Sequence, residues 1–226
     1  MPSKERSLPK KRQKSIINKA YHLLYKVYGP RHWWPADTSF EVAVGAILTQ
    51  NTGWSNVEKA ISNLKKERLL SPKRLYNLKP KRLARLIRPC GYFNIKTARL
   101  KSFLDFLFKK YKGDISRMRG IGTDKLRQEL LGVNGIGQET ADSILLYALD
   151  RPSFVIDAYT RRLTNCFGLT KDKATYEQVQ LLFTEHLPRN RRLFNEFHAL
   201  IVEHGKSICR PRPLCERCVL RSFKRR

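Results

Sequence analysis

The segment GVNGIGQETA, residues 132–141, places three glycines in a short turn between two stretches with helical periodicity. Glycine allows left-handed backbone angles and lets another segment approach without a Cβ in the way. The unpaired amides at the start of the second helix, together with the helix dipole, would form a phosphate site that reads no base sequence. A corner used only for helix packing is the alternative, and the turn alone does not decide between them.

The charge of the chain favours a polyanionic partner. The sequence has 46 Lys and Arg against 19 Asp and Glu, a formal net charge of +27. Such an excess destabilises the compact state through self-repulsion, which a bound polyanion relieves. Nucleic acid is the first candidate and an anionic membrane surface the second. No apolar run approaches the roughly 20 residues that span a bilayer.

The N-terminal segment and the cysteines indicate the compartment. The first fifteen residues, MPSKERSLPKKRQKS, are basic and lack the apolar stretch of a secretory signal. They fit a phosphate-contacting arm and a solvated tail equally well. Five cysteines, three of them clustered, argue against a disulfide framework and favour a reducing compartment. We therefore expect a cytoplasmic or nucleoid-associated protein that is not secreted.

Apolar residues recur at helical spacing along almost the whole chain, and alternating strand patterns are missing. The sequence therefore predicts an all-α fold. Ser55 and Glu58 fit a capping box at a helix start, and Thr123 or Asp124 fits the cap of a helix to residue 130. Asp157 would lie at the N-terminus of another helix. Further helices are predicted at 94–111, 138–149, 175–187 and 190–206.

A glycine hairpin, a helix and then an aspartate at the next helix start resemble the helix-hairpin-helix DNA glycosylases of the endonuclease III superfamily. Residues 131–163, LGVNGIGQETADSILLYALDRPSFVIDAYTRRL, carry most of the resemblance. The segments AVGAILTQNT and LARLIRPCGYFNIKTARLK and the C-terminal cysteines add to it, so that it spans about residues 30 to 220. The resemblance implies a base-excision enzyme that flips a damaged nucleotide out of duplex DNA.

The resemblance also implies an arrangement of domains. Residues 31–150 would form a helical lobe that ends in the hairpin. Residues 1–30 and 151–226 would form a second helical lobe that carries the cysteine loop, with a DNA-binding cleft between the lobes. The expected partner is double-stranded DNA with a damaged base, bound by a monomer without a membrane.

Asp157 is the catalytic residue that the resemblance implies. Breaking an N-glycosidic bond develops positive charge on the deoxyribose. A fixed carboxylate stabilises that charge and orients the attacking water. At a helix N-terminus Asp157 would stay ionised at neutral pH, and a simple N-cap role is compatible with catalysis.

Glu139 occupies the position at which bifunctional members of the superfamily carry a lysine. That lysine attacks the sugar, forms a Schiff base and leads to strand cleavage. A glutamate cannot form a Schiff base, and no lysine lies between residues 132 and 157. Lys125 precedes the hairpin and would contact phosphate or solvent. We expect a monofunctional glycosylase that leaves an abasic site.

Trp33, Trp34 and Pro35 resemble the branch of the family that removes alkylated purines such as 3-methyladenine. An alkylated purine carries positive charge, and indole faces attract cations and stack on the ring. The alternative is that both tryptophans pack in the core. Removal of oxidised or mismatched bases, and DNA binding without catalysis, also stay open because the hairpin and Asp157 do not select the base.

Contacts with DNA are expected at two places. Gln50 falls at the family position whose side chain enters the gap left by the flipped nucleotide, and a solvated helix end is the alternative. The hairpin would hold phosphate through its amides. The expected DNA contacts are Gln50, Asn51, Gly132, Gly135, Gly137 and Thr140.

Cys209, Cys215 and Cys218 resemble the family's C-terminal loop, which binds a [4Fe-4S] cluster through four cysteines. The first spacing is one residue short of the commonest family pattern. The fourth position, near residue 224, holds Lys224.

Three outcomes therefore stay open for the cysteine loop. It binds a cluster with a distant or non-cysteine fourth ligand, it binds zinc with His204 as a fourth ligand, or it holds no metal. Cys90 and Cys166 lie in helical stretches and are expected to be small buried apolar groups.

Overall fold

The computed structural model describes residues 8–224, and within this range the chain forms helices and turns without any strand. The predicted all-α fold is confirmed. No helix in this range is long and apolar enough to cross a membrane. The α-helices are α1 (Lys10–Tyr28), α2 (Ser39–Leu48), α3 (Trp54–Lys66), α4 (Pro72–Asn77), α5 (Pro80–Leu86), α6 (Phe93–Tyr111), α7 (Thr123–Leu131), α8 (Gln138–Ser143), α9 (Ala158–Cys166), α10 (Tyr176–His186) and α11 (Arg191–Ser207).

The chain divides into two compact units. One unit consists of residues 34–151. The other joins the chain before residue 34 to the chain after residue 151. The sequence had predicted the boundaries after residues 30 and 150.

The unit of residues 34–151 is built around α2. This helix reads SFEVAVGAIL, so almost every side chain is apolar and its residues from Phe40 to Leu48 are all buried. It packs against α3, α6 and α8. Glu41 is buried within this helix and pairs with Lys65 of α3 at 2.6 Å, which offsets the cost of burying the carboxylate.

The other unit holds α1, α9, α10 and α11 around an aromatic core. The ring of Phe154 stacks on that of Phe183 with centroids 4.1 Å apart, and Phe194 meets it edge-on at 5.3 Å. Helix α9 packs closely against α11 because Gly205 has no side chain. A Cβ at Gly205 would lie 2.3 Å from Cδ1 of Tyr159 on α9.

Two predicted helix caps are wrong. Helix α3 begins at Trp54 after Gly53, and Glu58 accepts a hydrogen bond from Trp54 Nε1 at 2.7 Å instead of closing a capping box. The indole N–H competes for the carboxylate that the capping box needs. Helix α7 begins at Thr123 itself, after Gly122, without a side-chain cap.

The other predicted helices agree with the structure to within one residue at each end, with one exception. The helix predicted over 138–149 is α-helical only to Ser143 and continues as a π-helical turn, Ile144–Ala148. Such turns are uncommon, and residue periodicity alone does not separate them from an α-helix.

We expect Gly205→Ala to lower the free energy of unfolding by about 1–3 kcal/mol, because the added methyl group overlaps the Tyr159 ring. Gly120→Ala is the matched control, since a Cβ there would meet no atom within 4 Å. Urea unfolding followed by circular dichroism measures both variants. Equal stability of the two would show that the tyrosine ring moves aside at no cost.

Candidate functional site

Asp157 caps the N-terminus of α9. Its backbone is extended, with φ −106° and ψ −175°, and its Oδ1 accepts a hydrogen bond from the amide of Thr160 at 2.7 Å. The predicted N-cap is confirmed at this residue. The capping geometry fixes the carboxylate at the positive end of the helix dipole.

His198 of α11 stands on the other side of the carboxylate. Its Nε2 lies 3.5 Å from Asp157 Oδ2, and the two side chains are 8% and 12% exposed. The sequence analysis missed His198. In the sequence, His198 is a histidine among the apolar residues on one face of a predicted helix. A core histidine without a role at a site gives the same pattern.

The environment keeps Asp157 ionised. Burial acts to raise the pKa of Asp157, while the charge and hydrogen bond of His198 and the hydrogen bonds from Thr160 act to lower it. The lowering prevails, so the pKa lies below the ordinary aspartate value. The carboxylate therefore stabilises the native state above the ordinary pKa of an aspartate, and this stabilisation is lost as the pH falls through the native-state pKa.

The glycine turn lies between α7 and α8, as predicted. Among its three glycines, Gly135 alone has a positive φ, +86°, and a Cβ there would lie 2.2 Å from Cγ of Arg99. Gly132 and Gly137 have negative φ values, −73° and −90°, and Cβ atoms there would meet no atom closer than 3.4 Å. Only Gly135 is required by backbone angle and close approach together.

Gln50 joins the end of α2 to the hairpin. Its Nε2 donates to the carbonyl of Gly135 at 3.0 Å and to Oγ1 of Thr140 at 2.9 Å. The guanidinium of Arg99 donates to Gln50 Oε1. These bonds fix three predicted DNA-contact residues relative to one another, with Thr140 buried. Exposed Asn51 follows with a left-handed φ of +52°.

Glu139 lies on the first turn of α8, exposed to solvent. Its backbone carbonyl accepts a hydrogen bond from the hydroxyl Oγ of Ser143 at 2.7 Å, so this bond does not involve the Glu139 carboxylate. The structure thus puts a negative side chain, with no lysine nearby in sequence, at the turn that follows the hairpin.

The two tryptophans of the Trp-Trp-Pro segment have separate surroundings, since the boundary between the units falls between them. Trp34 lies against α2, where a Cβ at Gly45 would be 3.1 Å from its ring. It meets Trp54 edge-on at 5.0 Å and Tyr147 at 5.3 Å. Trp33 instead has Lys206 Nζ 5.9 Å from its ring centroid.

Trp34 and Pro35 line a cavity of about 290 Å³ in the unit of residues 34–151. Trp54 and the carboxylate-bearing Glu41 and Glu58 line it too. Lys65 and Lys66 complete its charged wall. Trp34 is therefore both packed against the core and open to a cavity whose wall has aromatic, acidic and basic groups.

The cysteines surround a second cavity, of about 400 Å³. Its walls include Cys209, Cys215 and Cys218 together with Cys166. The interpretation of Cys166 as a small buried apolar group is wrong, because its side chain is partly exposed and faces the same cavity as the loop. The reason is tertiary: α9 ends beside the loop. Cys90 is buried, as expected.

His204 of α11 also lines this cavity and is buried. Its Nε2 lies 3.4 Å from Cys218 Sγ, and its Nδ1 lies 3.0 Å from the hydroxyl of Tyr28. Within residues 8–224, no group of three or more His, Cys, Asp or Glu side chains is arranged to hold a metal ion. The Cys₃His zinc site, one of the three outcomes left open by the sequence, is therefore not formed among the described residues.

Comparison with protein families places the chain among DNA repair enzymes. The model of the HhH-GPD superfamily of base excision DNA repair proteins, the helix-hairpin-helix glycosylases, matches residues 44–189. The chain belongs to this superfamily. This match covers α3 to α10, so it contains the hairpin, Glu139 and Asp157, and the resemblance seen in the sequence is confirmed.

Relatives in sequence span nearly the same length as this HhH-GPD protein. A Methanocaldococcus jannaschii protein with the provisional name DNA repair glycosylase is 49% identical over 210 residues, covering 92% of this chain and 95% of the relative. Endonuclease III of Thermotoga maritima is 32% identical over 184 residues, covering 81% of each chain.

Solved structures agree with this assignment. The H. pylori 3-methyladenine DNA glycosylase bound to 1,N6-ethenoadenine has a TM-score of 0.71 at 28% identity, covering 86% of this chain and 97% of that one. A non-covalent endonuclease III–DNA complex has a TM-score of 0.80 at 20% identity over 96% of both chains, which shows the fold alone. The HhH-GPD protein is a DNA repair glycosylase, and its substrate is DNA.

We expect His198→Leu to raise the pKa of Asp157, because the substitution removes the neighbouring group whose charge and hydrogen bond lower it. The acid limb of the pH profile for base release should then move to higher pH. His186→Leu is the matched control: His186 is also buried, but it lies on α10 and contacts Gln13 at 3.0 Å. An unmoved acid limb in both variants would show that His198 does not act on the carboxylate.

Proposed function

We propose that the protein is a monofunctional DNA glycosylase that hydrolyses the N-glycosidic bond of a flipped alkylated purine such as 3-methyladenine. The observation that carries the proposal is Asp157, a carboxylate that caps α9 by accepting from the Thr160 amide, lies beside His198 and is held ionised. An ionised carboxylate with some exposure to solvent suits a reaction in which positive charge develops on a sugar.

Asp157 would act on the deoxyribose in two ways. It stabilises the positive charge that develops at C1′ as the bond to the base breaks, and it accepts a proton from the water that attacks C1′. The bond electrons leave with the purine. When the purine is N-alkylated and cationic, these electrons neutralise its charge, so the leaving group needs no strong general acid.

Glu139 supports hydrolysis by water instead of attack by an amine. Its exposed carboxylate occupies the turn where bifunctional relatives carry their lysine, and a carboxylate cannot form a Schiff base. The product is then an abasic site in an intact strand.

The proposed base pocket rests on Trp34 and Pro35. They border the 290 Å³ cavity together with Trp54, and indole faces favour a cationic ring. Lys65 and Lys66 line the cavity as well, and Lys65 pairs with Glu41, so the preference rests on the aromatic rings. The H. pylori relative is named for 3-methyladenine and was solved with an ethenoadenine, which is also a modified purine. Trp33, which belongs to the other unit, does not line this cavity and has Lys206 Nζ 5.9 Å from its ring centroid.

The proposed DNA contacts follow from charge and hairpin geometry. With a net charge of +27, the protein attracts phosphate over long range. Gly135 and Gly137 lie just before α8, whose start favours phosphate binding. Gly132 would contact DNA from the end of α7, where its amide already donates to the carbonyl of Gln128. Gln50 would exchange its bonds to the hairpin for the gap in the duplex, with Asn51 beside it. We infer a monomer in the cytoplasm or nucleoid.

The cysteine loop has a proposed cofactor. A [4Fe-4S] cluster would supply a redox-active cross-link within the loop that carries Cys209, Cys215 and Cys218. Base hydrolysis by Asp157 involves none of these cysteines.

We expect the wild-type protein to release free methylated purine from alkylated duplex DNA, and Asp157→Asn to release it about 10²-fold more slowly or less while still binding DNA. The amide keeps the size and the capping acceptor but loses the charge. Base release is measured by chromatography over a panel of alkylated, oxidised and mismatched duplexes.

Asp172→Asn is the matched control for this assay. Asp172 is an exposed acid of the same unit that accepts a hydrogen bond from Asn165 at 3.3 Å, so its loss should leave base release unchanged. Faster release of an oxidised or mismatched base would contradict the alkylated-purine assignment. Equal rates for wild type and Asp157→Asn would contradict the catalytic role.

We expect borohydride to trap no covalent complex between the wild-type protein and damaged DNA, because position 139 offers no amine to the sugar. A lysine-bearing endonuclease III treated in parallel is the positive control for trapping. Denaturing electrophoresis measures both the adduct and any strand break. A trapped adduct of wild-type protein at the level of the control would overturn the monofunctional assignment.

A further inference from the structure

We propose that Cys166, the last residue of α9, is the fourth ligand of a [4Fe-4S] cluster whose other ligands are Cys209, Cys215 and Cys218. The proposal is independent of the base that the enzyme removes. It replaces the ligand that the loop lacks, since Lys224 stands where a fourth loop cysteine was expected.

The first support is placement. The chain has five cysteines, and four of them line the same 400 Å³ cavity although Cys166 lies more than forty positions before the loop. The thiol at the end of α9 therefore shares one cavity with the three thiols of the loop.

The second support is the size of the site. In a zinc site, donor atoms converge to roughly 2.0–2.3 Å from one centre. No group of three such side chains converges in this way within the described residues 8–224. A [4Fe-4S] cluster makes a different demand, because each thiolate binds its own iron atom and the four sulfurs stand around a larger body. Four cysteines spread around a roomy cavity fit the cluster better than a single ion.

The third support is charge. Four thiolates around a cluster form an anionic centre, and the cavity wall carries Arg162, Arg221 and Lys224. The guanidinium of Arg162 donates to the carbonyl of Cys209 at 2.5 Å, and Lys224 Nζ lies 3.7 Å from Cys215 Sγ. Basic groups at these distances compensate the negative charge of a bound cluster.

His204 is placed to support a ligand. Its Nδ1 is engaged by Tyr28 at 3.0 Å, and its Nε2 lies 3.4 Å from Cys218 Sγ, a distance suited to a hydrogen bond with sulfur. Hydrogen bonds to ligand sulfurs tune an iron–sulfur cluster without completing its coordination. His204 thus supports Cys218 through a hydrogen bond, while the four cysteines supply all four ligands of the cluster.

The test measures iron, acid-labile sulfide and absorbance at about 400 nm in protein purified without oxygen. We expect the wild type to hold about four iron atoms and four sulfides per chain. Cys166→Ala should lose most of both, and Cys90→Ala should keep the wild-type content. Cys90 is the matched control because it is buried away from the cavity, at the end of a short 3₁₀ turn.

A second measurement on the wild-type protein covers the case in which Cys166→Ala fails to fold. With the cluster bound, iodoacetamide should leave Cys166 and the three loop cysteines unmodified, and removal of iron by oxidation and chelation should make all four reactive. Modification of Cys166 at equal rates before and after iron removal would overturn the proposal. So would a Cys166→Ala variant with wild-type iron, a wild-type protein that binds zinc in place of iron, or one that takes up neither metal.

Discussion

The structure depends most on a carboxylate that is both largely buried and ionised. Burying a charge costs several kcal/mol unless partners replace the lost water. Asp157 receives an amide hydrogen bond from its own helix through Thr160, and Nε2 of His198 on α11 lies 3.5 Å from its Oδ2. Its geometry therefore requires α9 and α11 to lie close together, and the absence of a side chain at Gly205 permits that approach. In this unit, the ionised state of Asp157 therefore depends on the close packing of α9 against α11.

Local signals explain which features the sequence could predict. The cap at Asp157, the ends of the glycine turn and the helical periodicity each depend on residues within a few positions. The capping box predicted at Ser55 is wrong because Glu58 accepts a hydrogen bond from the indole of Trp54. This contact is also local in sequence, but the capping-box pattern does not include it. His198 and Cys166 could not be found in this way. His198 lies beside Asp157, and Cys166 shares a cavity with the loop cysteines. These partners are distant in sequence and are brought close by the packing of α9.

Not every glycine of the hairpin motif is required by the backbone. Three glycines suggested three special backbone positions, yet only Gly135 combines a left-handed angle with a close neighbour, the side-chain stem of Arg99. The side-chain amide of Gln50 donates hydrogen bonds to the carbonyl of Gly135 and the hydroxyl of Thr140. The hairpin is thus ordered in the absence of DNA, and a duplex that takes Gln50 into its gap has to compensate for the loss of these two bonds.

Helix α9 connects the proposed catalytic carboxylate to the proposed cluster site, since it begins after Asp157 and ends at Cys166. A metal cluster requires a number of donors in the right positions and is indifferent to their order in the chain. Moving the fourth thiol from the loop to α9 would keep four donors and also fix the C-terminal end of the helix. The N-terminal end is already fixed by the capped carboxylate. A helix anchored at both ends leaves the carboxylate little freedom to move, which is the pre-organisation that a charge-stabilising group needs at the sugar.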